Sequence, residues 1–163
     1  MTHDKIQFSN AVIDEMVYLL PDAAKLTISL NNANELTLIA GNNVSTLLLY
    51  LPKSGADMSE ESLLSLHKLA SAVKLSTEHY LAINLKNHAN LLFKDFASMP
   101  NIKQVICFGI TGEMIGLHLD YLIYKPFIFN NLNILISDSL EGISQEDKKL
   151  LWHGLQLMFK LNI

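Results

Sequence analysis

The chain has 163 residues, of which 50% are hydrophobic and 17% charged, and its formal net charge at pH 7 is −4. All 12 basic residues are lysine, so the chain lacks the forked guanidinium group that holds a phosphate with two hydrogen bonds. Since a global positive charge is also missing, we do not expect strong autonomous nucleic-acid binding.

The length suits one domain over residues 1–163 that buries a sizeable apolar core. No apolar run approaches the roughly eighteen residues of a membrane span, and the N-terminus resembles no signal peptide. The single cysteine, Cys107, excludes an internal disulfide and a cysteine-based metal site, and its apolar strand context favours an inert core thiol. We therefore expect a cytoplasmic protein with no membrane contact, cofactor or metal.

The first third of the chain carries three predicted elements before a buried strand. An amphipathic helix is predicted over residues 6–20. Residues 26–30 and 36–40 alternate apolar and polar side chains, as the two strands of a hairpin do. Residues 47–51 are continuously apolar, which is typical of a strand covered on both faces.

The middle of the chain alternates helices with strands. A helix is predicted from residue 60 to about residue 74, with Ser59 as its N-cap. A short strand over residues 80–85 and a second helix over residues 88–98 follow. Residues 105–109 form the clearest candidate for a central strand.

The last part of the chain predicts a hairpin and a final helix. Residues 111–117 suit one or two helical turns, and residues 127–129 and 134–136 suit strands joined around Asn130-Asn131. The final helix is predicted to begin after Ser144, which starts a capping-box pattern. Because helices alternate with buried strands, we predict a three-layer α/β/α sandwich with a mostly parallel central sheet.

The polar residues that follow the central strand are the first candidate site. Gly109 ends that strand, where open α/β sheets bind ligands, although the glycine spacing fits neither a phosphate loop nor a dinucleotide fingerprint. A tight turn explains the glycines more simply. Glu113, His118 and Asp120 would make a small acid–base or metal cluster if the fold gathers them, and ordinary loop residues if it does not.

The final helix is the second candidate site, because apolar residues occupy most of its circumference. These residues are Leu150, Leu151, Trp152, Leu155, Leu157, Met158, Phe159 and Leu161. One packing surface hardly accounts for so many. Burial between the sheet and the N-terminal helix is one interpretation. The other is a partner-binding surface anchored by Trp152, Phe159 and Leu155.

Taken in order, the segments resemble the uracil-DNA glycosylase superfamily over roughly residues 45–160. The first matching parts are an apolar strand at residues 47–51, a double-leucine helix at 62–69 and a strand ending in Asn at 81–84. They are followed by a strand ending in Gly at 102–109, a last strand at 134–139 and a Lys-x-x-x-Trp-x-x-Leu helix at 148–155. The resemblance implies that family's sandwich fold.

The catalytic residues of the glycosylases are replaced by other residues in this chain. Ser137 stands at the position of the family's histidine and Asp138 at that of its proline, while Ser139 matches. Residues 52–55 stand where the glycosylases keep the side chain that positions the attacking water. Serine cannot supply the charge or strong donor that stabilises a leaving uracil anion. The resemblance therefore implies a non-catalytic member.

A non-catalytic family with this fold class, the psi subunits of bacterial DNA polymerase III, is similar over residues 64–85 and 139–155. Psi subunits are adaptors between the clamp loader and the chi subunit. The resemblance implies a non-enzymatic adaptor in a replication or repair assembly, with a clamp-loader or chi-like protein as partner. The chain departs from psi at residues 6–20, where psi proteins carry their clamp-loader-binding tail.

Two other functions stay open at this stage. One is a divergent nucleobase- or nucleotide-processing enzyme that uses the crevice after Gly109, with Glu113, His118, Asp120 and Ser137 as its polar groups. The other is a homodimer that associates through the N-terminal or the final helix.

Overall fold

The computed structural model describes residues 43–53 and 59–161. The predicted helix over residues 6–20 and the predicted strands over residues 26–30 and 36–40 lie outside the described residues. Within those ranges the strands are β1 (Thr46–Tyr50), β2 (Tyr80–Asn84), β3 (Gln104–Phe108), β4 (Phe127–Phe129) and β5 (Leu132–Ser137), and the α-helices are α1 (Glu60–Ala72), α2 (Phe93–Ala97) and α3 (Gln145–Phe159).

The five strands form one sheet in the order β2-β1-β3-β5-β4. The pairs β1–β2, β1–β3 and β3–β5 are parallel, and β4 runs antiparallel to β5. The fold is therefore α/β with a mostly parallel sheet, as predicted. The prediction of a central strand is also confirmed, because β3 lies third of five.

Alternate residues of the strands supply two separate hydrophobic clusters, one on each face of the sheet. Leu48 and Ile106 belong to the cluster that includes the buried residues of α1 and α3, and we call that side of the sheet the helical face. Leu47 and Cys107 belong to the opposite cluster, which includes the buried residues of α2 and of the loops on either side of β3. Because β1 and β2 are buried along their whole length, their continuous apolar runs match burial on both faces.

The helix α1 begins as the sequence predicts. The Ser59 hydroxyl accepts a hydrogen bond from the Ser62 amide, and Glu60 and Glu61 occupy the first turn. A carboxylate near a helix N-terminus interacts favourably with the helix dipole. In the same way the Ser144 hydroxyl accepts from the Asp147 amide at 3.1 Å and starts α3, which confirms the predicted N-cap.

The predicted helix over residues 88–98 is wrong in its first half. Residues 88–92 form a turn instead, in which the Leu91 amide donates to the His88 carbonyl at 3.0 Å. Before it, the Asn84 side chain accepts a hydrogen bond from the Lys86 amide at 3.0 Å and starts a 3₁₀ turn over Leu85–Asn87, which ends the strand β2 at Asn84. The α-helix α2 begins only at Phe93. The Asp95 carboxylate accepts a hydrogen bond from the Leu92 amide at 2.9 Å and so fixes the start of α2, a local interaction that was missed.

The β4–β5 hairpin confirms the predicted turn. Phe129 pairs with Leu132, so the loop consists of Asn130 and Asn131, whose φ angles are 48° and 62°. Two consecutive left-handed residues make the type I′ turn, whose twist matches that of paired strands. Asparagine is one of the few residues apart from glycine that adopts this conformation readily.

We expect Asn131→Val to lower the free energy of unfolding by about 1–2 kcal/mol, because a β-branched side chain is strained in the left-handed region. Asn131→Gly is expected to keep or raise stability. Urea denaturation measures both effects. The exposed turn residue Asn90 is not among the residues with positive φ, and Asn90→Val serves as the control. Equal losses from the two valine variants would contradict the turn assignment.

Candidate functional site

The chain leaves β1 toward one edge of the sheet and β3 toward the other, so its direction reverses between the carboxyl ends of these two strands. Open α/β sheets bind ligands at this reversal. Here backbone pairing continues beyond the strands: the Leu51 amide donates to the Phe108 carbonyl at 3.1 Å, and the Gly109 amide to the Ser137 carbonyl at 2.9 Å.

Gly109 is packed closely by the segment that follows β5. Its φ is +69°, and a Cβ added to it would lie 3.1 Å from the Ser139 Cβ and 3.3 Å from the Leu51 carbonyl oxygen. A left-handed backbone and this close approach both require glycine. The crevice predicted after Gly109 is thus occupied at its base by the chain itself.

The hydroxyl groups of that segment are used inside it. Ser137 is only 2% exposed, and its hydroxyl donates to the Asp138 carbonyl at 2.9 Å. The buried Ser139 hydroxyl accepts from the Glu141 amide at 3.2 Å. The Asp138 carboxylate accepts from the Tyr124 hydroxyl at 2.7 Å. These bonds hold the segment in place.

Glu113, His118 and Asp120 are all exposed, whereas Ser137 is buried. The pKa of Glu113 lies below its usual value because the carboxylate accepts hydrogen bonds from its own backbone amide and from the Thr111 side chain, and because His118 contributes favourable charge. The contribution of His118 is the smallest of these, and among the described residues no ion pair joins it to Glu113. Over the described part of the chain, no three His, Cys, Asp or Glu side chains converge as a metal site would require.

Tyr124 organises this end of the molecule and was missed by the sequence reasoning. Its backbone is left-handed, with φ of 64°, its amide donates to the Ile136 carbonyl at 2.8 Å, and its hydroxyl donates to Asp138. Burial, and then the hydrogen bond and charge of Asp138, raise the pKa of Tyr124. The helix α3 crosses directly over this residue, since a Cβ on Gly154 would lie 2.3 Å from the Tyr124 carbonyl oxygen.

The predicted partner-binding residues of α3 do not share one environment. Leu155 is 1% exposed and packs in the core on the helical face, which corrects its place in a partner-binding surface. Trp152 and Phe159 are partly buried and pack against the same cluster. The α3 leucines that project into solvent are Leu150 and Leu157, exposed by 52% and 54%.

The edge strand β4 adds a third exposed apolar side chain on the same side of the sheet. Ile128 is 76% exposed and pairs with Asn133 across the ladder. The Asn133 amide group reaches the carbonyl oxygen of Met158, in α3, at 3.4 Å. Ile128 therefore points to the helical face, the side of the sheet on which α3 lies. Leu150 and Leu157, seven residues apart, are exposed along one side of α3. We call Ile128, Leu150 and Leu157 the outer apolar patch.

Comparison with known proteins assigns the chain to no family. No protein-family model matches it, and no curated protein matches it in sequence. Among the helices that the structure describes, none combines the length and apolar character needed to cross a membrane. The fold therefore defines the class, an α/β protein, and the function rests on the site geometry.

Proposed function

We propose that the chain is a non-enzymatic adaptor, similar in role to the psi subunits, that binds a protein partner in a replication or repair assembly. The observation that carries the proposal is the outer apolar patch, whose three side chains are each more than half exposed. Full burial of an exposed aliphatic side chain contributes about 1.5–3 kcal/mol, so covering the exposed half of Leu150 or Leu157 contributes about 1 kcal/mol. A clamp-loader or chi-like subunit is the partner that the resemblance favours.

We likewise infer the glycosylase-like three-layer arrangement. Its support is the pair of clusters on the two faces of the sheet, with α1 and α3 on the helical face and α2 on the other. In the resemblance, the glycosylases close on a Lys-x-x-x-Trp-x-x-Leu helix and the psi subunits on a Leu-Trp-x-x-Leu helix. Lys148, Leu151, Trp152 and Leu155 keep both spacings in α3.

The carboxyl edge of the sheet supports an adaptor better than a glycosylase. Ser137 replaces the family's histidine, and its hydroxyl is already bonded to the Asp138 carbonyl. A catalytic donor must instead point at the oxygen where negative charge develops during the reaction. The single thiol of the chain, that of Cys107, is fully buried. Burial raises its pKa to about 12, so it is a poor nucleophile.

The test compares Leu157→Lys with Leu64→Lys. Both leucines are 54% exposed on helices of the helical face, and only Leu157 belongs to the patch. We expect Leu157→Lys to weaken binding to the partner at least roughly tenfold, the cost of about 1.4 kcal/mol, because an ammonium group is left against an apolar surface. Leu64→Lys is expected to bind normally.

The measurement has two stages. The tagged chain is first purified from its own cell, and the recovered replication subunits are then titrated against the two variants by biolayer interferometry. Recovery of no clamp-loader or chi-like subunit would reject the assignment to a replication assembly. Equal affinities of the two lysine variants would reject the patch.

A second candidate function is a divergent nucleobase- or nucleotide-processing enzyme. The observation that favours it is that Glu113 and His118 are both exposed shortly after Gly109, with His118 adding to the lowered pKa of Glu113. Excision of uracil from an oligonucleotide, lost in both Glu113→Gln and His118→Ala, would establish the enzyme and replace the adaptor proposal.

A homodimer through α3 is distinguished from the adaptor by sedimentation velocity of the purified chain, because a homodimer forms without any other protein.

A further inference from the structure

A cleft of about 870 Å³ lies on the helical face between α1 and the segment that joins β5 to α3. This volume falls within the roughly 300–1,000 Å³ of pockets that hold small molecules. Its apolar lining comes from both sides, with Leu69 and Ala72 on α1 and Leu140, Ile143 and Leu151 opposite. The cleft does not include any residue of the outer apolar patch.

Among the cleft-lining residues that the structure describes, lysines outnumber carboxylates by three to two. Lys53, Lys68 and Lys148 line it together with Glu61 and Glu141. The Glu141 carboxylate accepts a hydrogen bond from the Lys53 amide at 2.7 Å, which ties the two sides of the cleft together and leaves one net positive charge on the described lining. The three lysines form no ion pair with any residue that the structure describes. On a chain with a net charge of −4, this is a local reversal of sign.

The cleft also lies where this fold class binds ligands. Lys53 follows the carboxyl end of β1, and residues 140–143 follow that of β5. In open α/β sheets, ligands bind outside the carboxyl ends of the strands. Ser59, Ser62 and Ser65 line one wall. The Ser59 hydroxyl donates to the Ser62 hydroxyl and the Ser65 hydroxyl to the Glu61 carbonyl, both at 2.9 Å, so the lysines are the groups that can hold an anion.

We propose that this cleft binds a small organic anion, whose apolar body packs against Leu69 and Leu140 and whose phosphate or carboxylate group is held by the lysines. Lysine acts as a point charge toward phosphate and carboxylate alike, so the cleft recognises the shared chemistry of the two groups. The site is separate from the outer apolar patch and is independent of the adaptor function.

The experiment is isothermal titration of the full chain with octyl phosphate, octanoate and uncharged octanol at low salt. We expect saturable binding of at least one anion and none of octanol. Whether phosphate or carboxylate binds more tightly identifies the natural headgroup. Lys148→Glu is expected to weaken binding roughly tenfold, because a charge-assisted contact is replaced by repulsion. The neighbouring residue Lys149 is exposed and does not line the cleft, so Lys149→Glu is the matched control.

A second pair of variants tests the cavity itself. Ala72→Trp places an indole in the cleft and is expected to abolish binding, whereas Ser71→Trp, one residue away and outside the cleft lining, is expected to leave it unchanged. Any of three results would overturn the proposal. Octanol could bind as tightly as the anions, the two glutamate variants could have equal effects, or neither anion could give saturable heat at millimolar concentration. Binding of an acidic, apolar peptide, with no binding of either octyl anion, would also overturn the proposal and make the cleft a protein-docking site.

Discussion

Gly154→Ala is expected to destabilise the protein by about 3 kcal/mol, the upper end of the usual cost of overpacking. The new Cβ would lie 2.3 Å from the Tyr124 carbonyl oxygen and 3.1 Å from a methyl group of Leu135. The Tyr124 backbone cannot easily withdraw, because its amide is bonded to Ile136 and its hydroxyl to Asp138. The helix must therefore move away from the sheet.

The sign of the effect makes this prediction decisive. In a helix interior, alanine is favoured over glycine by about 1 kcal/mol, so propensity alone predicts stabilisation. The measurement is urea denaturation followed by the fluorescence of Trp152, the single tryptophan. Gly142→Ala is the control: its φ is +73° but nothing lies within 4 Å, so it carries only the left-handed strain of about 1 kcal/mol. A Gly154→Ala protein as stable as the wild type would refute the close crossing of α3.

Cys107 is expected to react with thiol reagents at least about a thousandfold more slowly in the folded protein than in the unfolded chain. Burial raises its pKa from 9.0 to about 12, and three units of pKa reduce the reactive thiolate about a thousandfold. Cys107 is also fully buried in the hydrophobic cluster that includes α2, on the side of the sheet opposite the helical face, and this burial blocks the reagent sterically. Labelling should then occur only through unfolding, which makes this single cysteine a reporter of global stability.

The same shift gives the direction of a pH dependence. The thiol is neutral in the folded protein but ionises near its ordinary pKa when unfolded, so its contribution is complete below pH 9 and is lost as pH rises toward 12. The raised pKa of Tyr124 acts in the same direction. Pulsed labelling in increasing urea, repeated at pH 7.5 and about pH 9.5, measures both effects. Labelling at the unfolded rate in native buffer would show that the thiol is accessible.

The sequence predicted correctly those elements that depend on interactions between residues close together in the chain. Ser59 and Ser144 cap helices through hydrogen bonds to amides three residues on, and the Asn130-Asn131 turn joins adjacent strands. The apolar run of residues 105–109 predicted the central strand because burial on both faces leaves no room for polar alternation. The start of α2, which the local hydrogen bond from the Leu92 amide to Asp95 sets, was missed because residues 88–98 looked like one continuous helix.

The candidate site was harder to predict because its contacts join distant parts of the chain. Tyr124 and Asp138 are 14 residues apart, and Asn133 and Met158 are 25 apart. Nothing in the local sequence of Tyr124 indicates a left-handed backbone. Only Gly154, a glycine in the interior of a helix, signals a close approach of another segment. For the same reason, the burial of Leu155 and the exposure of Leu157 depend on how α3 is rotated against the sheet.

The edge strand β4 spans only Phe127–Phe129 and turns directly into β5. A strand of three residues presents few unpaired amide and carbonyl groups, so it is a poor template for extension of the sheet by another chain. Association on this side of the molecule must therefore depend on side chains and not on backbone pairing. The protein can thus keep an apolar surface next to a sheet edge without the tendency to form fibrils that a long, open edge would bring.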